Sequence, residues 1–174
     1  TPISVLRREL GIPKIVRAMP NTPGQVGKGM TVWTATPEVD DMGRRQAQAI
    51  LGALGREINV DDEGDLDRAT ALSGTGPAYV FLFMEAVQEA ALTLGLDARQ
   101  ARELTLNTFA GAAQLALRSD DPPATLRERV TSKGGTTAAA LAVMEAGGLR
   151  KLVGQALEAA QRRSVELGDE FGRD

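Results

Sequence analysis

The stretch Ala78–Leu94 constrains the fold most, because apolar side chains occupy nearly every face of the helix it forms. Tyr79, Val80, Leu82, Phe83, Met84, Val87 and Leu94 are distributed around the wheel, and Glu85 and Glu89, four apart, leave a narrow line for solvent or the wall of a site. A helix apolar all round belongs inside a bundle. The rest of a helical region of roughly a hundred residues gives such a helix little more than partial cover. A second copy of the chain is the natural source of the remainder, so the sequence predicts a homodimer, with higher assembly as an extension of it.

The flanking sequence is helical in the same way. Leu66 to Leu72 predicts a short helix broken by Ser73-Gly74-Thr75-Gly76, and Pro77 suits the first turn of the apolar helix. Gly95 ends that helix, and Asp97 caps the next, Ala98 to about Leu117. Gly111 sits mid-helix among alanines, where it costs about 1 kcal/mol relative to Ala, so it predicts a close helix contact. Pro122-Pro123 start a short helix to Val130. A helix after Thr136 stops at Gly147-Gly148, and Leu149, Leu152, Val153, Ala156 and Ala160 form an amphipathic stripe on the last one.

Before Asp61 the pattern differs. Pro2–Leu10 predicts a short helix ended by Gly11, and Lys14–Met19 a strand. Pro20-Asn21-Thr22-Pro23-Gly24 excludes regular structure. Met30–Thr34 predicts a second strand, Pro37 to about Leu54 a helix, and Arg56–Val60 a third strand. This order resembles the last part of an α/β nucleotide-binding sheet. The acidic segment Asp61–Asp65 is the boundary, giving domains at 1–62 and 63–174. A Gly-x-Gly-x-x-Gly loop between strand and helix is absent: Gly24, Gly27 and Gly29 lead into a strand, and Gly74-Thr75-Gly76 is half a fingerprint.

Composition removes several function classes. The net charge of -3 argues against a nucleic-acid partner. With no cysteine and no histidine, disulfides, thiolate metal sites and Ser-His or Cys-His triads are excluded, and no metal is expected. The run Ala78–Met84 ends at Glu85, well short of the roughly 18 residues of a membrane span. No signal-peptide pattern is present, and a cytoplasmic location is expected.

One stretch packs hydroxyls and paired glycines against a helix start: Val130-Thr131-Ser132-Lys133-Gly134-Gly135-Thr136-Thr137-Ala138. Thr136 and Thr137 fall in the first turn, whose amides lack intrahelical partners and favour an anion. Read locally, this is either an ordinary Ser/Thr-capped helix after a glycine turn or a receptor for a carboxylate or phosphate.

Taken together, Arg17-Ala18-Met19-Pro20-Asn21-Thr22-Pro23, Thr70 to Tyr79, Val130 to Thr137 and Glu145-Ala146-Gly147-Gly148-Leu149-Arg150 resemble the pyrroline-5-carboxylate reductase family. The resemblance implies a remnant of a Rossmann-like sheet followed by an all-α helical bundle that forms a homodimer. It implies an oxidoreductase of proline biosynthesis that reduces the C=N bond of a cyclic imino acid, 1-pyrroline-5-carboxylate, with NADPH or NADH. Ser132, Gly134, Gly135, Thr136 and Thr137 would hold the substrate carboxylate, with the Thr137 hydroxyl on the ring nitrogen as the catalytic contact. Met19, Pro20, Asn21, Ser73 and Thr75 would face the nicotinamide end of the cofactor. The family usually has Pro at Lys133 and Ser at Thr75. Because the fingerprint loop is not among these residues, the chain is expected to be inactive alone; the alternative is a non-catalytic dimerisation or carboxylate-binding module.

Overall fold

A computed structural model describes residues 1–172; the last two residues of the expected second domain lie outside it. The chain divides into two compact units, Thr1–Ala78 with the stretch from Gly154 onward, and Tyr79–Val153. The expected helical domain from residue 63 therefore contributes its first residues and its last helix to the sheet-bearing unit.

In that unit, helix α1 (Ile3–Leu10) precedes strands β1 (Val16–Met19), β2 (Gly29–Ala35) and β3 (Gly55–Asn59), ordered β1-β2-β3. β1 runs antiparallel to β2, with Met19 opposite Val32, and β2 runs parallel to β3, with Trp33 opposite Asn59. β2 is central because it is the richest in β-branched and aromatic residues, and Thr31, Val32, Trp33 and Thr34 are all buried. At the start of the parallel pair the backbones nearly touch. A β-carbon on Gly55 would lie 2.3 Å from the Gly29 carbonyl oxygen, and Gly55 has φ 141°.

Two boundaries differ from the sequence reading. Pro20–Gly24 is not wholly irregular: a short 3₁₀ helix spans Thr22–Val26, with Pro23 in its first turn, where a missing N–H is tolerated. Helix α2 (Asp41–Gly52) starts later than Pro37, because the Asp40 side chain accepts from the Gly43 amide at 2.8 Å and so caps the helix there.

Helix α3 (Gly64–Ala69) does not break into a loop at Ser73. It widens into a π-turn over Thr70–Gly74, closed by the Thr75 amide donating to the Thr70 carbonyl at 2.9 Å. Arg17 of β1 anchors α3 through Glu63 (2.6 Å), and the neighbouring Asp67 accepts from Ser164 of α8 (Leu149–Gly172) at 2.7 Å. The Arg17 side chain is largely buried, so this cluster holds the sheet, α3 and the end of α8 together.

The second unit holds most of α4 (Gly76–Thr93), with α5 (Ala98–Leu117), α6 (Pro123–Arg129), α7 (Thr136–Ala146) and the start of α8. Asp97 and Gln100 form a reciprocal capping box on α5. Phe83 meets Phe109 edge-on, ring centroids 5.7 Å apart. Across Gly147-Gly148, Arg150 grips both carboxylate oxygens of Glu145 at 2.9 and 3.0 Å, which clasps α7 to α8 and holds the Glu145 carboxyl below its ordinary range.

Two packing expectations are corrected within one chain. No residue of α4 is buried: Phe81 and Leu82 are 62% and 66% exposed. Glu85 and Glu89 are exposed as well. Among the described residues nothing lies within 4 Å of a β-carbon built on Gly111, so none of their helices crosses closely there. The apolar pattern reports that the face needs cover, and the unit's few remaining helices do not supply it.

Candidate active site

The segment after α6 turns sharply before α7 begins. The Thr131 hydroxyl donates to the Arg127 carbonyl at 2.6 Å, and the Gly135 amide to the Ser132 carbonyl at 3.1 Å. Gly134 sits at φ 73°, which a side chain would resist. Gly135 is the N-cap of α7, in extended conformation, and no side chain caps the helix. The expectation of a Ser/Thr cap is thereby corrected: with Gly135 in the capping position, Thr136 and Thr137 are the first two residues of the helix itself. The amides of Thr136, Thr137 and Ala138 have no acceptor among the described residues. A β-carbon on Gly135 would lie 2.4 Å from the Ser132 Oγ, so the hydroxyl stands directly over this glycine. Ser132 and Thr136 are exposed, Thr137 half-buried, and Lys133 exposed. The result is a shallow set of unpaired donors at the positive end of an eleven-residue helix, chemistry that receives an anion.

The second group assembles in the other unit. Asn21 Nδ2 donates to the Ser73 carbonyl and to Ser73 Oγ, each at 3.2 Å, while Asn21 Oδ1 accepts from the Met30 amide at 2.8 Å. The Met19 Cε packs where a β-carbon of Gly74 would be, 2.6 Å away. Met19, Asn21, Ser73 and Gly74 thus form one cluster from segments 52 residues apart. Pro20 is exposed beside it. Thr75 is turned inward: its hydroxyl donates to the Thr70 and Ala71 carbonyls at 3.1 and 2.8 Å, closing the π-turn. The sequence reading missed Thr70, Gly74 and Met30 as partners of this cluster, since neither a π-turn nor a bond to a backbone amide leaves a spacing signal.

Ser132–Thr137 and Met19–Thr75 lie in different compact units, each described by itself. Among the described residues no group of three His, Cys, Asp or Glu could hold a metal ion, and no helix is long and apolar enough to cross a membrane.

A small mixed sheet with flanking helices in one unit and a helical second unit that contains the uncapped start of α7 define a two-part architecture, α/β followed by all-α. A family model for pyrroline-5-carboxylate reductase dimerisation matches residues 63–167. The pyrroline-5-carboxylate reductase of Pseudomonas aeruginosa is 46% identical over 173 residues, covering 99% of this chain and 63% of the relative; that of Haemophilus influenzae is 45% identical, covering 90% and 58%. A solved pyrroline-5-carboxylate reductase from Coxiella burnetii superposes with a TM-score of 0.91 at 46% identity, covering 95% of this chain and 62% of that one. The Plasmodium falciparum pyrroline carboxylate reductase, solved with NADP bound, gives 0.89 at 35% identity, covering 95% and 67%. The chain belongs to the pyrroline-5-carboxylate reductase family. It spans about 63% of the length of the first of these relatives.

Proposed function

We propose that the chain is the substrate-binding and dimerisation part of an oxidoreductase that reduces 1-pyrroline-5-carboxylate to L-proline. The observation that carries this reading is the uncapped start of α7, with three amides lacking a protein acceptor and the Ser132 hydroxyl beside them. A substrate carboxylate satisfies those donors, and the absence of side chains at Gly134 and Gly135 lets it approach the main chain. Thr137, in the same first turn, brings its hydroxyl oxygen to the ring nitrogen and accepts its proton in a hydrogen bond. The imine arrives as an iminium already protonated, so a chain without histidine needs no general acid.

A reduced nicotinamide cofactor, NADPH or NADH, supplies the hydride to the C=N carbon. The π electron pair moves to nitrogen, which keeps its proton and becomes the secondary amine of proline. The cluster at Met19 suits that cofactor chemically: a thioether and an exposed proline ring offer apolar surface to a flat ring, and Ser73 offers a hydroxyl to its carboxamide. Asn21 and Thr75 complete this group. NADP in the Plasmodium falciparum relative supports a nicotinamide cofactor without selecting its phosphorylation state.

The reading includes a homodimer through the helical part, supported by the exposed apolar face of α4 and by the description of the matching family model. It also places a nucleotide-binding part at 1–62, a helical domain from 63, and the enzyme in the cytoplasm, where small soluble metabolites are available. A carboxylate-binding module without catalysis is the second reading, favoured by the lack of a Gly-x-Gly-x-x-Gly loop among the 174 residues.

Cofactor oxidation with the cyclic imine separates the two in a full-length form that includes the nucleotide-binding half. Turnover is expected there, and its absence overturns the reductase reading. In that form Thr137→Ala is expected to lower kcat about a hundredfold while changing stability by less than about 1 kcal/mol. Unchanged kinetics would remove the role given to Thr137.

A further inference from the structure

Glu85 and Glu89 are the two charged residues of α4, and the site described above uses neither. They lie four apart, with Leu82 three before the first and Leu92 three after the second, so carboxylates and leucines share one side of the helix. All four are exposed, Leu82 and Leu92 at 66% and 48%. A side that presents large apolar groups needs cover, and a carboxylate covered along with them needs a cation. Among the described residues neither carboxylate has an ion pair or a side-chain hydrogen bond.

The same compact unit holds the counterpart. A cleft of about 390 Å³ has Ala138, Leu141 and Ala142 of α7 as its apolar floor, with Arg127 of α6 and Arg150 of α8 beside it. No residue of α7 is buried, so this floor lacks cover of its own. Arg150 is committed to Glu145, which also lines the cleft. Arg127 is free by comparison: its ion-pair partner Glu128 is 3.8 Å away, beyond a hydrogen bond, and 71% exposed. The half-buried Arg127 guanidinium donates no hydrogen bond among the described residues. Elsewhere in the unit Arg99 and Arg129 have carboxylate partners, and Arg102, Arg118, Lys133 and Lys151 are exposed. With Glu128 in solvent, two guanidiniums face one carboxylate, which leaves a place for another.

We propose that this cleft seats α4 of a second copy, with the partner's Glu85 and Glu89 set against Arg127, and that the charged contact fixes the register of the two helices. This rests on the homodimer included in the reading above and adds to it where the copies meet. Under two-fold symmetry each copy gives one helix and receives one, so a single pair of complementary patches acts twice. Small side chains at Ala138 and Ala142 let the incoming helix come close. The apolar residues supply the attraction. The charges select the alignment, because one that carries the carboxylates away from Arg127 buries them without a cation.

The test is charge exchange, with the dissociation constant of the dimer read by sedimentation and melting midpoints recorded alongside. Glu85→Lys combined with Glu89→Lys in one variant, and Arg127→Glu in another, each set like charges across the contact and weaken dimerisation about a hundredfold. Mixing the two variants joins lysine to glutamate at one contact and keeps the natural pairing at the other. A heterodimer therefore forms, with an affinity within about tenfold of the unsubstituted homodimer. Folded variants that dimerise with the original affinity, or that stay monomeric when mixed, overturn the proposal. If Arg127→Glu does not fold, Arg127→Gln is combined with Glu85→Gln and Glu89→Gln in a double-mutant cycle, where non-additive losses support the contact and additive losses overturn it. An unsubstituted chain that stays monomeric overturns the homodimer itself, an outcome distinct from a dimer indifferent to these charges.

Discussion

Thr31 of β2 is fully buried, and its hydroxyl oxygen has no hydrogen-bond partner among the described residues. Burying an unpaired hydroxyl costs stability, and valine fills nearly the same volume with the same β-branching. Thr31→Val is therefore expected to raise the unfolding free energy by about 1 kcal/mol, read as a higher urea midpoint at unchanged slope; a lower midpoint would mean the hydroxyl does have a partner. At this scale the sequence was informative about residue types and silent about pairs. The paired glycines before Thr136 are legible as a turn leading into a helix start, because backbone freedom and first-turn amides are local properties. The link from Asn21 to Ser73 crosses 52 residues and joins a side chain to a turn that has no sequence period, so nothing local announced it.

Secondary structure was legible where hydrophobic spacing and punctuation agree, as in α1 stopping before Gly11, α5 behind its Asp97 cap, and α7 ending at Gly147. It was not legible where hydrogen bonding shifts by one residue. The segment Thr70–Gly74 looked like a helix meeting a glycine break, yet it stays helical by widening, with Thr75 supplying amide and hydroxyl to the same carbonyl. The β2 and β3 junction shows the opposite case, in which glycine is required by contact. Gly55 combines φ 141° with a β-carbon position 2.3 Å from the Gly29 oxygen, and both are backbone constraints that no side-chain rotation relieves. Gly55→Ala is expected to cost about 3 kcal/mol, measured by chemical denaturation. A cost near zero would show that the two strands can separate without penalty.

For the whole molecule, the apolar helix that dominates the sequence is the least satisfied element of the single chain. Val80, Phe81, Leu82 and Phe83 are each more than 40% exposed, apolar surface that water disfavours and a second copy would cover. Periodicity predicts a buried helix, and within one chain α4 is exposed; a wheel does not distinguish cover from the same chain and cover from another. Light scattering is expected to give twice the mass of one chain at micromolar concentration, and Leu82→Glu is expected to reduce it toward one; a monodisperse unsubstituted monomer would contradict the dimer. The central claim is that the start of α7 receives a carboxylate, and it can be tested on the product without any cofactor. L-proline titrated into ¹⁵N-labelled protein should shift the amide resonances of Thr136, Thr137 and Ala138 saturably, with Ser132→Ala weakening the effect. A titration that leaves those three amides unmoved while the protein is folded would contradict it.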